Sequence, residues 1–363
     1  MPKLRSTLSI LGILERPGRD HHIDAVAGID EGQLFSVTPR TAGQISTWKT
    51  RPLRADIARG MSVINDGFCT RFGDVYDYDG RRLNNVSHKL RVRRKRSWLK
   101  SITKERRRWL VKPKAIDVPI LNLTASTSHM YFHWLLDVLP RIFIAREAGL
   151  ERGRWLYVSS AKSFQRDTLE ALGLLGRTIE PDASAIINAH DIATPVHQIA
   201  IGHLPPNWVM DFLRGELLSN LRTAPSRFRK RLYVSRNDAD RRHIRDEDAL
   251  VDALAAIGFE KIVPGHLSVS EQAATFANAE IIVGAHGSSL TNLVFCQPAT
   301  KVVELFSNNY FDEGPYRLAQ AVDLDYYYVR AREVYEKGLP IESDYAIAVE
   351  DVFNTLKLAG VAV

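Results

Sequence analysis

Three stretches of this 363-residue chain combine residue types at spacings that chemistry can use. In Phe132-His133-Trp134-Leu135-Leu136-Asp137, the histidine and the aspartate stand one helical turn apart, where a carboxylate can orient an imidazole as a general base. A histidine in an apolar helix also serves simply as a satisfied core residue. In Ala285-His286-Gly287-Ser288-Ser289, small residues follow the apolar run EIIVG and precede a helical pattern, LTNLVFC. Such a turn lets the backbone approach a ligand closely and offers free N–H groups to an anion, and a diphosphate would fit there. A tight turn with no ligand accounts for Gly287 and Ser288 equally. Arg236 closes the run RLYVSR, with Arg241, Arg242 and Arg245 soon after. If the two apolar runs are parallel neighbours, Arg236 reaches the same sheet edge as His286, where guanidinium groups could neutralise a diphosphate without metal. Asn237 and Asp238 read as turn or cap residues.

Other motifs are absent or weak. The chain has no G-x-G-x-x-G and no P-loop, and the frame around Ser288 is not that of a nucleophile elbow. Asp77-Tyr78-Asp79-Gly80 contains a D-x-D that could hold a divalent metal under a nucleotide diphosphate. An Asp-Gly turn between strand ends explains the same residues, and Asp238-Ala239-Asp240 and Asp323-Leu324-Asp325 repeat the pattern by chance. The two cysteines, Cys69 and Cys296, are too few for a disulfide framework or a thiolate zinc site, which suits a reducing compartment.

The elements that must position these residues alternate in type. Val63 to Asn85 reads as short strands with turns at Asn65-Asp66-Gly67 and Asp77 to Gly80. The period from Tyr131 to Leu150 predicts a helix kinked at Pro140, followed by a strand at Arg154–Ser159, a helix at Ser163–Leu172 and a short strand at Thr178–Glu180. A linker is expected between Gly202 and Arg229, with Pro205-Pro206 and Pro225 as punctuation. Beyond it come strands at Arg231–Ser235, Gly258–Val263, Glu280–Gly284 and Lys301–Phe306, separated by helices at Asp246–Ile257, Ser270–Asn278 and after His286. This βαβ grammar predicts an α/β fold with doubly wound parallel sheets, whose ligands bind beyond the carboxyl ends of the strands.

Composition bounds the rest. Hydrophobic residues make up 45% and charged residues 25%, as in a folded soluble protein. The net charge of +7 owes its sign to one block, Lys89 to Lys114, with 13 Lys/Arg in 26 positions against one acid, Glu105. Trp98, Leu99, Ile102, Trp109, Leu110 and Val111 are interleaved there at helical spacing, which predicts a basic amphipathic insert suited to anionic lipid or polyanionic glycan. A solvated basic face without a partner fits as well, and no recognition submotif supports nucleic acid. Leu8 to Leu14 is too short and lacks the cleavage site of a signal peptide, and it reads as a buried strand. No apolar run approaches a membrane span.

The ordered motifs FHWLLDVLPR, RLYVSR, GFEKIVPGHLSVSEQAATFANAEIIVGAHGSSLTNLVFC and VVEL resemble the GT61 glycosyltransferases, often named capsular polysaccharide biosynthesis proteins and once a domain of unknown function. The resemblance covers about residues 60 to 310. It implies a GT-B-like architecture of two Rossmann-like domains facing across a cleft, here divided as 1–215, acceptor-side and carrying the basic insert at 89–114, and 216–363, holding the nucleotide-sugar donor. The last helix is expected to pack back on the first domain. It also implies an inverting transfer to a polysaccharide or lipid-linked glycan, with no cofactor or metal. His133 or Asp137 would be the base, and Arg236, Arg241, His286, Gly287, Ser288 and Ser289 would hold the donor. Glu304 resembles the acid that binds the nucleotide ribose in GT-B enzymes, or else is an internal partner for an arginine. Asn292 and Gln272 stand between donor contact and structural support. Family members often read His-Gly-Ala-Gly at the turn, so Ser289 replaces a glycine, and many carry Asn-Glu near Arg242 to Glu247, which leaves the counterpart of that acid open. With no anchor segment, the chain resembles the bacterial branch, expected in the cytoplasm and at most peripheral at the inner membrane face. A non-catalytic polyanion- or nucleic-acid-binding protein on the same fold is the alternative.

Overall fold

Apolar runs bounded by turn residues become buried strands in the computed structural model, which describes residues 60–83, 87, 113–182, 186–197, 205–221, 225–310, 312–335 and 338–363. The apolar run at Leu8–Leu14 and the basic block up to Lys112 lie outside the described residues. The described residues form two compact units, 60–197 and 205–363.

The first unit holds a seven-stranded sheet of β1 (Gly60–Thr70), β2 (Val75–Tyr76), β3 (Lys114–Ile116), β4 (Ile120–Asn122), β5 (Trp155–Tyr157), β6 (Thr178–Ile179) and β7 (Ile186–Val196). Its order is β2-β1-β7-β4-β5-β6, with β3 also on β7. β4, β5 and β6 are parallel. To them is added a long antiparallel ribbon, β1 against β7, that the sequence did not announce.

Asn65-Asp66-Gly67 does not turn the chain, contrary to its local signal. β1 runs through it, with Asn65 opposite Asp191 and Gly67 opposite Ala189. Asp66 alone enters the left-handed region (φ 54°) and accepts a hydrogen bond from His190 Nδ1 at 2.8 Å. Gly67 is needed for close approach: a Cβ there would meet Ile64 Cγ2 at 2.6 Å and Tyr76 O at 2.9 Å. The ribbon then folds back. β7 pairs with β4 at Ile192 and Ala193 but with Thr70 at its first residue, Ile186. A straight ribbon would leave Thr70 roughly 30 Å from the loop after β4. Instead the Thr124 hydroxyl donates to Thr70 O at 2.8 Å.

The kinked helix is three pieces: α1 (Tyr131–His133), a π-helical turn (Trp134–Val138) and α2 (Pro140–Glu147). Pro140 has no N–H to give and its ring crowds the carbonyl of Leu136. That freed carbonyl accepts from His197 Nε2 at 3.0 Å, and Arg141, one residue on, donates back to His197 O at 3.0 Å. α3 (Ser163–Ala171) joins β5 to β6.

In the second unit β8 (Arg231–Val234), β10 (Glu260–Ile262), β11 (Ile281–Ala285), β12 (Lys301–Phe306) and β13 (Asp325–Arg330) form an all-parallel sheet in the order β10-β8-β11-β12-β13. The chain reverses its winding between β8 and β11, so the crevice beyond their carboxyl ends is the ligand position of a doubly wound sheet. Crossovers are α6 (Glu247–Ala256), α7 (Val269–Asn278), a 3-10 helix (Ser288–Phe295) where an α-helix was expected, and α8 (Gly314–Ala321). α7 starts earlier than its period suggests because Ser268 caps it, accepting from Glu271 N while the Glu271 carboxylate accepts from Ser268 N. A small sheet, β14 (Glu333–Tyr335), β15 (Asp344–Ala346) and β9 (Ile244–Arg245), lies apart from these.

Two expectations about the unit's limits differ from what is observed. Residues 205–221, within the expected linker, are helical: α4 (Asn207–Asp211), a π-helical turn (Phe212–Leu217) and α5 (Leu218–Asn220). They pack with the second unit because Arg214 Nη1 donates to Val294 O (2.6 Å) and Cys296 O (2.8 Å) at the end of the 3-10 helix. The final helix, α9 (Val349–Leu358), buries Val352 and Leu356 in the second unit's own core, beside Tyr327, Leu254 and Leu305.

Candidate functional site

The β8–β11 register sets Val234 beside Gly284, so the residues that follow each strand emerge at one edge. Arg236 follows β8 and His286 follows β11. Gly287 lies in extended backbone (φ 172°, ψ 177°), a conformation any residue adopts, so its role is space. A Cβ there would fall 1.6 Å from Arg236 Nη1 and 2.8 Å from its Cζ, so the guanidinium lies directly on the turn.

Arg236 is 9% exposed, and its Nη2 donates only weakly, to Arg241 O at 3.3 Å. Its Nε and that of Arg242 are both buried without a hydrogen-bond partner. Burial and the nearby Arg242 lower the Arg236 guanidinium to about 10. Buried donors left unsatisfied and like charges held together cost free energy that an anion would recover. Arg242 lies over the Tyr310 ring, 4.9 Å from its centroid, with a left-handed backbone (φ 61°). Arg241 is at the exposed rim, 3.9 Å from Glu342.

His286 donates from Nδ1 to Glu304 Oε1 at 2.6 Å. Its ring stacks on Phe306 (4.9 Å between centroids) and lies 5.6 Å from Tyr310. Glu304 is fully buried on β12, and the Tyr326 hydroxyl donates to its other oxygen. Its internal partners are therefore a histidine and a tyrosine, where the sequence suggested an arginine. Burial pushes its carboxyl up, against the opposing pull of His286. A fixed acceptor on Nδ1 orients the imidazole and leaves Nε2 for other work.

Ser288 and Ser289 begin the 3-10 helix and are half-buried. Asn292, fully buried, donates from Nδ2 to Gln272 Oε1 (2.7 Å) and Ser289 O (3.0 Å), and Gln272 donates onward to Leu267 O (3.0 Å). These two side chains brace the turn from behind. Glu247 opens α6 and accepts from Tyr233 (2.8 Å), Ser235 (2.8 Å) and Lys261 (2.9 Å), which locks β8 to the helix.

In the first unit, the loop beyond β4 leads to α1 and its one-turn pair. His133 Nδ1 donates to Asp137 Oδ2 at 2.6 Å. Asp137 is wholly buried, while the His133 side chain retains 13% exposure. Because a carboxylate only accepts, this bond puts the proton on Nδ1 and leaves Nε2 as a proton acceptor. Burial lowers the Arg141 guanidinium to about 10 against the opposing pull of Asp137, and it donates to Thr124 O at 3.2 Å.

The D-x-D residues go elsewhere. Asp77 forms a turn, accepting from Arg81 N at 2.8 Å, and Asp79 lies 3.9 Å from Arg81. Among the described residues no three His, Cys, Asp or Glu side chains gather as metal ligands, and no helix is long and apolar enough to cross a membrane. Tyr310, Tyr326 and Tyr345 were not foreseen, since nothing in DYYYVR or its surroundings marks a tyrosine as part of a site.

Residues 131–303 match the family model described as Glycosyltransferase 61. The chain is also 42% identical over 45 residues to Beta-1,2-xylosyltransferase RCN11 of Oryza sativa subsp. japonica, a match covering 12% of this chain and 8% of that protein. The chain therefore spans well under two thirds of that relative's length.

Proposed function

We propose that this chain, which carries a glycosyltransferase 61 domain over residues 131–303, transfers a sugar from a nucleotide-sugar donor to a glycan acceptor. The observation that carries the reading is the pair of buried, unpartnered guanidinium Nε groups of Arg236, which lies on the Gly287 turn, and of Arg242, near enough to lower the Arg236 guanidinium. A departing nucleoside diphosphate offers the oxygens those groups lack. Arg241 adds charge at the rim, and the N–H groups at Ser288 and Ser289 add donors. Asn292 supports the turn, and Glu304 orients His286 rather than touching ribose, since no part of it is exposed.

In this reading His133 is the base and Asp137 its positioning partner. The acceptor hydroxyl gives its proton to His133 Nε2 as its oxygen forms a bond to the anomeric carbon, and the bond from that carbon to the diphosphate breaks on the opposite face, which inverts the configuration. The arginines take the charge that a metal would otherwise meet, which supports a metal-independent reaction. The chain is read as GT-B-like, with the second unit serving the donor and the first the acceptor, because each has parallel strands with such groups at their carboxyl ends. The acceptor class is a polysaccharide or lipid-linked glycan at the cytoplasmic face of a membrane, with the block at residues 89–114 as a basic contact to anionic lipid. The short match to a xylosyltransferase makes a xylose-bearing nucleotide the first donor to try.

Titration with UDP, GDP, ADP, TDP and CMP in the presence of chelator tests the donor site. Selective binding of one diphosphate, weakened in Arg236→Ala, is expected. Binding of DNA, RNA or other polyanions with no diphosphate affinity would replace this reading with a polyanion-binding protein.

A further inference from the structure

Arg236 and Arg242 come from an irregular segment between β8 and β9, and a guanidinium pair can grip a diphosphate only if that segment is held in place. Within it, Ala239 N donates to Arg236 O at 2.9 Å and His243 Nε2 donates to Ala239 O at 2.6 Å. Arg242 adopts the left-handed region (φ 61°), which a non-glycine residue keeps only where its surroundings over-determine it.

The surroundings are the two residues that open β15. The His243 N–H donates to Asp344 Oδ1 at 3.0 Å, and His243 O accepts from Tyr345 N at 3.0 Å. The His243 ring lies 3.4 Å and Arg245 3.7 Å from the same carboxylate, which is 4% exposed. Ile244 and Arg245 then pair with Tyr345 and Ala346 as β9 on β15. Thus the residue directly after Arg242 is fixed on both its N–H and its C=O.

Tyr345 reaches in the other direction. Its hydroxyl donates to Leu305 O at 3.0 Å, the carbonyl that also accepts from His286 N at 3.0 Å. Burial pushes the Tyr345 phenol up, and Arg236 and Arg242 both lie near enough to oppose that rise. One dipeptide therefore ties the arginine segment on one side and the His286 turn on the other.

We infer that Asp344 and Tyr345 are positioning residues for donor binding, with Asp344 holding Arg242 in its strained conformation and Tyr345 setting the spacing between the arginines and His286. This rests on the reading of the site as a nucleoside diphosphate pocket. Neither residue touches the ligand in this account, and each acts through the backbone it holds.

The test is titration of the preferred nucleoside diphosphate against variants of the full chain. Asp344→Ala is expected to raise Kd about tenfold, the scale of one charge-assisted hydrogen bond lost. Asp344→Asn keeps an oxygen to accept the His243 N–H and should bind within threefold of wild type. Tyr345→Phe keeps the ring in the core and should weaken binding by less than Asp344→Ala. Adding Arg242→Ala to Asp344→Ala should cost no more than Arg242→Ala alone, because both act through one guanidinium. Arg332→Ala breaks an exposed pair with Asp351 and should leave binding unchanged. Wild-type affinity in Asp344→Ala, equal losses in Asp344→Asn and Asp344→Ala, or additive losses with Arg242→Ala would overturn the inference while the donor site stands. If Asp344→Ala does not fold, the Asn and Phe variants decide alone: a loss above threefold in Asn, or no loss in Phe, overturns it. A wild-type protein that binds no nucleoside diphosphate overturns the donor reading and this inference with it.

Discussion

Replacing Gly287 by alanine isolates the contact on which donor binding depends. The alanine would adopt the observed extended backbone without strain, so the fold has little reason to object. Its Cβ, however, falls 1.6 Å from Arg236 Nη1 and 3.4 Å from Cδ, so the guanidinium must leave the turn. A displaced guanidinium forfeits a charge-assisted contact of about 1.5–3 kcal/mol, or roughly ten- to hundredfold in Kd. Global stability should change by less than about 1 kcal/mol, since alanine also restricts the unfolded chain. Titration calorimetry with the preferred nucleoside diphosphate, beside thermal melts, reads both quantities. The sharper readout is the double variant: once Arg236→Ala has removed the obstructed group, Gly287→Ala should cost nothing further. Undiminished binding in Gly287→Ala, or the same loss in the Arg236→Ala background, would refute the placement of the guanidinium at the anion.

Asp137→Asn should lower kcat by about 10²–10⁴ through loss of the fixed His133 tautomer, with donor Kd unchanged; parallel losses in both would show a general disturbance instead. Burial raises the Glu247 carboxyl, but hydrogen bonds from Lys261, Tyr233 and Ser235 outweigh it and hold the group below its ordinary value. A depressed folded pKa stabilises above the ordinary carboxylate value of about 4.3 and is lost as pH falls through the lower one. The gap in Tm between wild type and Glu247→Gln should therefore be widest near neutrality and close on acidification, and a constant gap refutes the linkage. Reversing Arg93, Arg94, Arg106 and Arg107 to glutamate should abolish binding to anionic vesicles, each cation contributing about 1 kcal/mol near such a surface. Unchanged vesicle binding would remove the membrane contact.

The second unit was legible because its strands are buried on both faces and read as unbroken apolar runs, EIIVG and KVVELF, separated by helical periods. That grammar puts Arg236 and His286 at one edge if the two strands are parallel neighbours, and β8 and β11 are. The ribbon of the first unit was not legible, since Asn-Asp-Gly is a strong local turn signal and only a partner strand 124 residues away, through His190, keeps Asp66 in β1. The partner of Glu304 was out of reach for the same reason. An acid in an apolar strand announces that it needs a partner, but only the fold shows that His286 and Tyr326 supply it. Asp344 lies 101 residues from the His243 N–H that it accepts, with no motif to mark it.

The folded-back ribbon has a consequence for the order in which the molecule can be assembled. β7 lies between β1 and β4, so as the chain leaves the ribosome β4 has only β5 beside it until Ile192 emerges. The Leu136 carbonyl freed by Pro140 must wait for His197, and Arg141 for the same residue. The His133–Asp137 pair is thus synthesised early but braced late, by a strand pairing of high sequence separation that is slow to nucleate. A nascent chain halted before Ile186 would expose β1 and β4 as unpaired edges, which makes this the stage at which a chaperone would be needed.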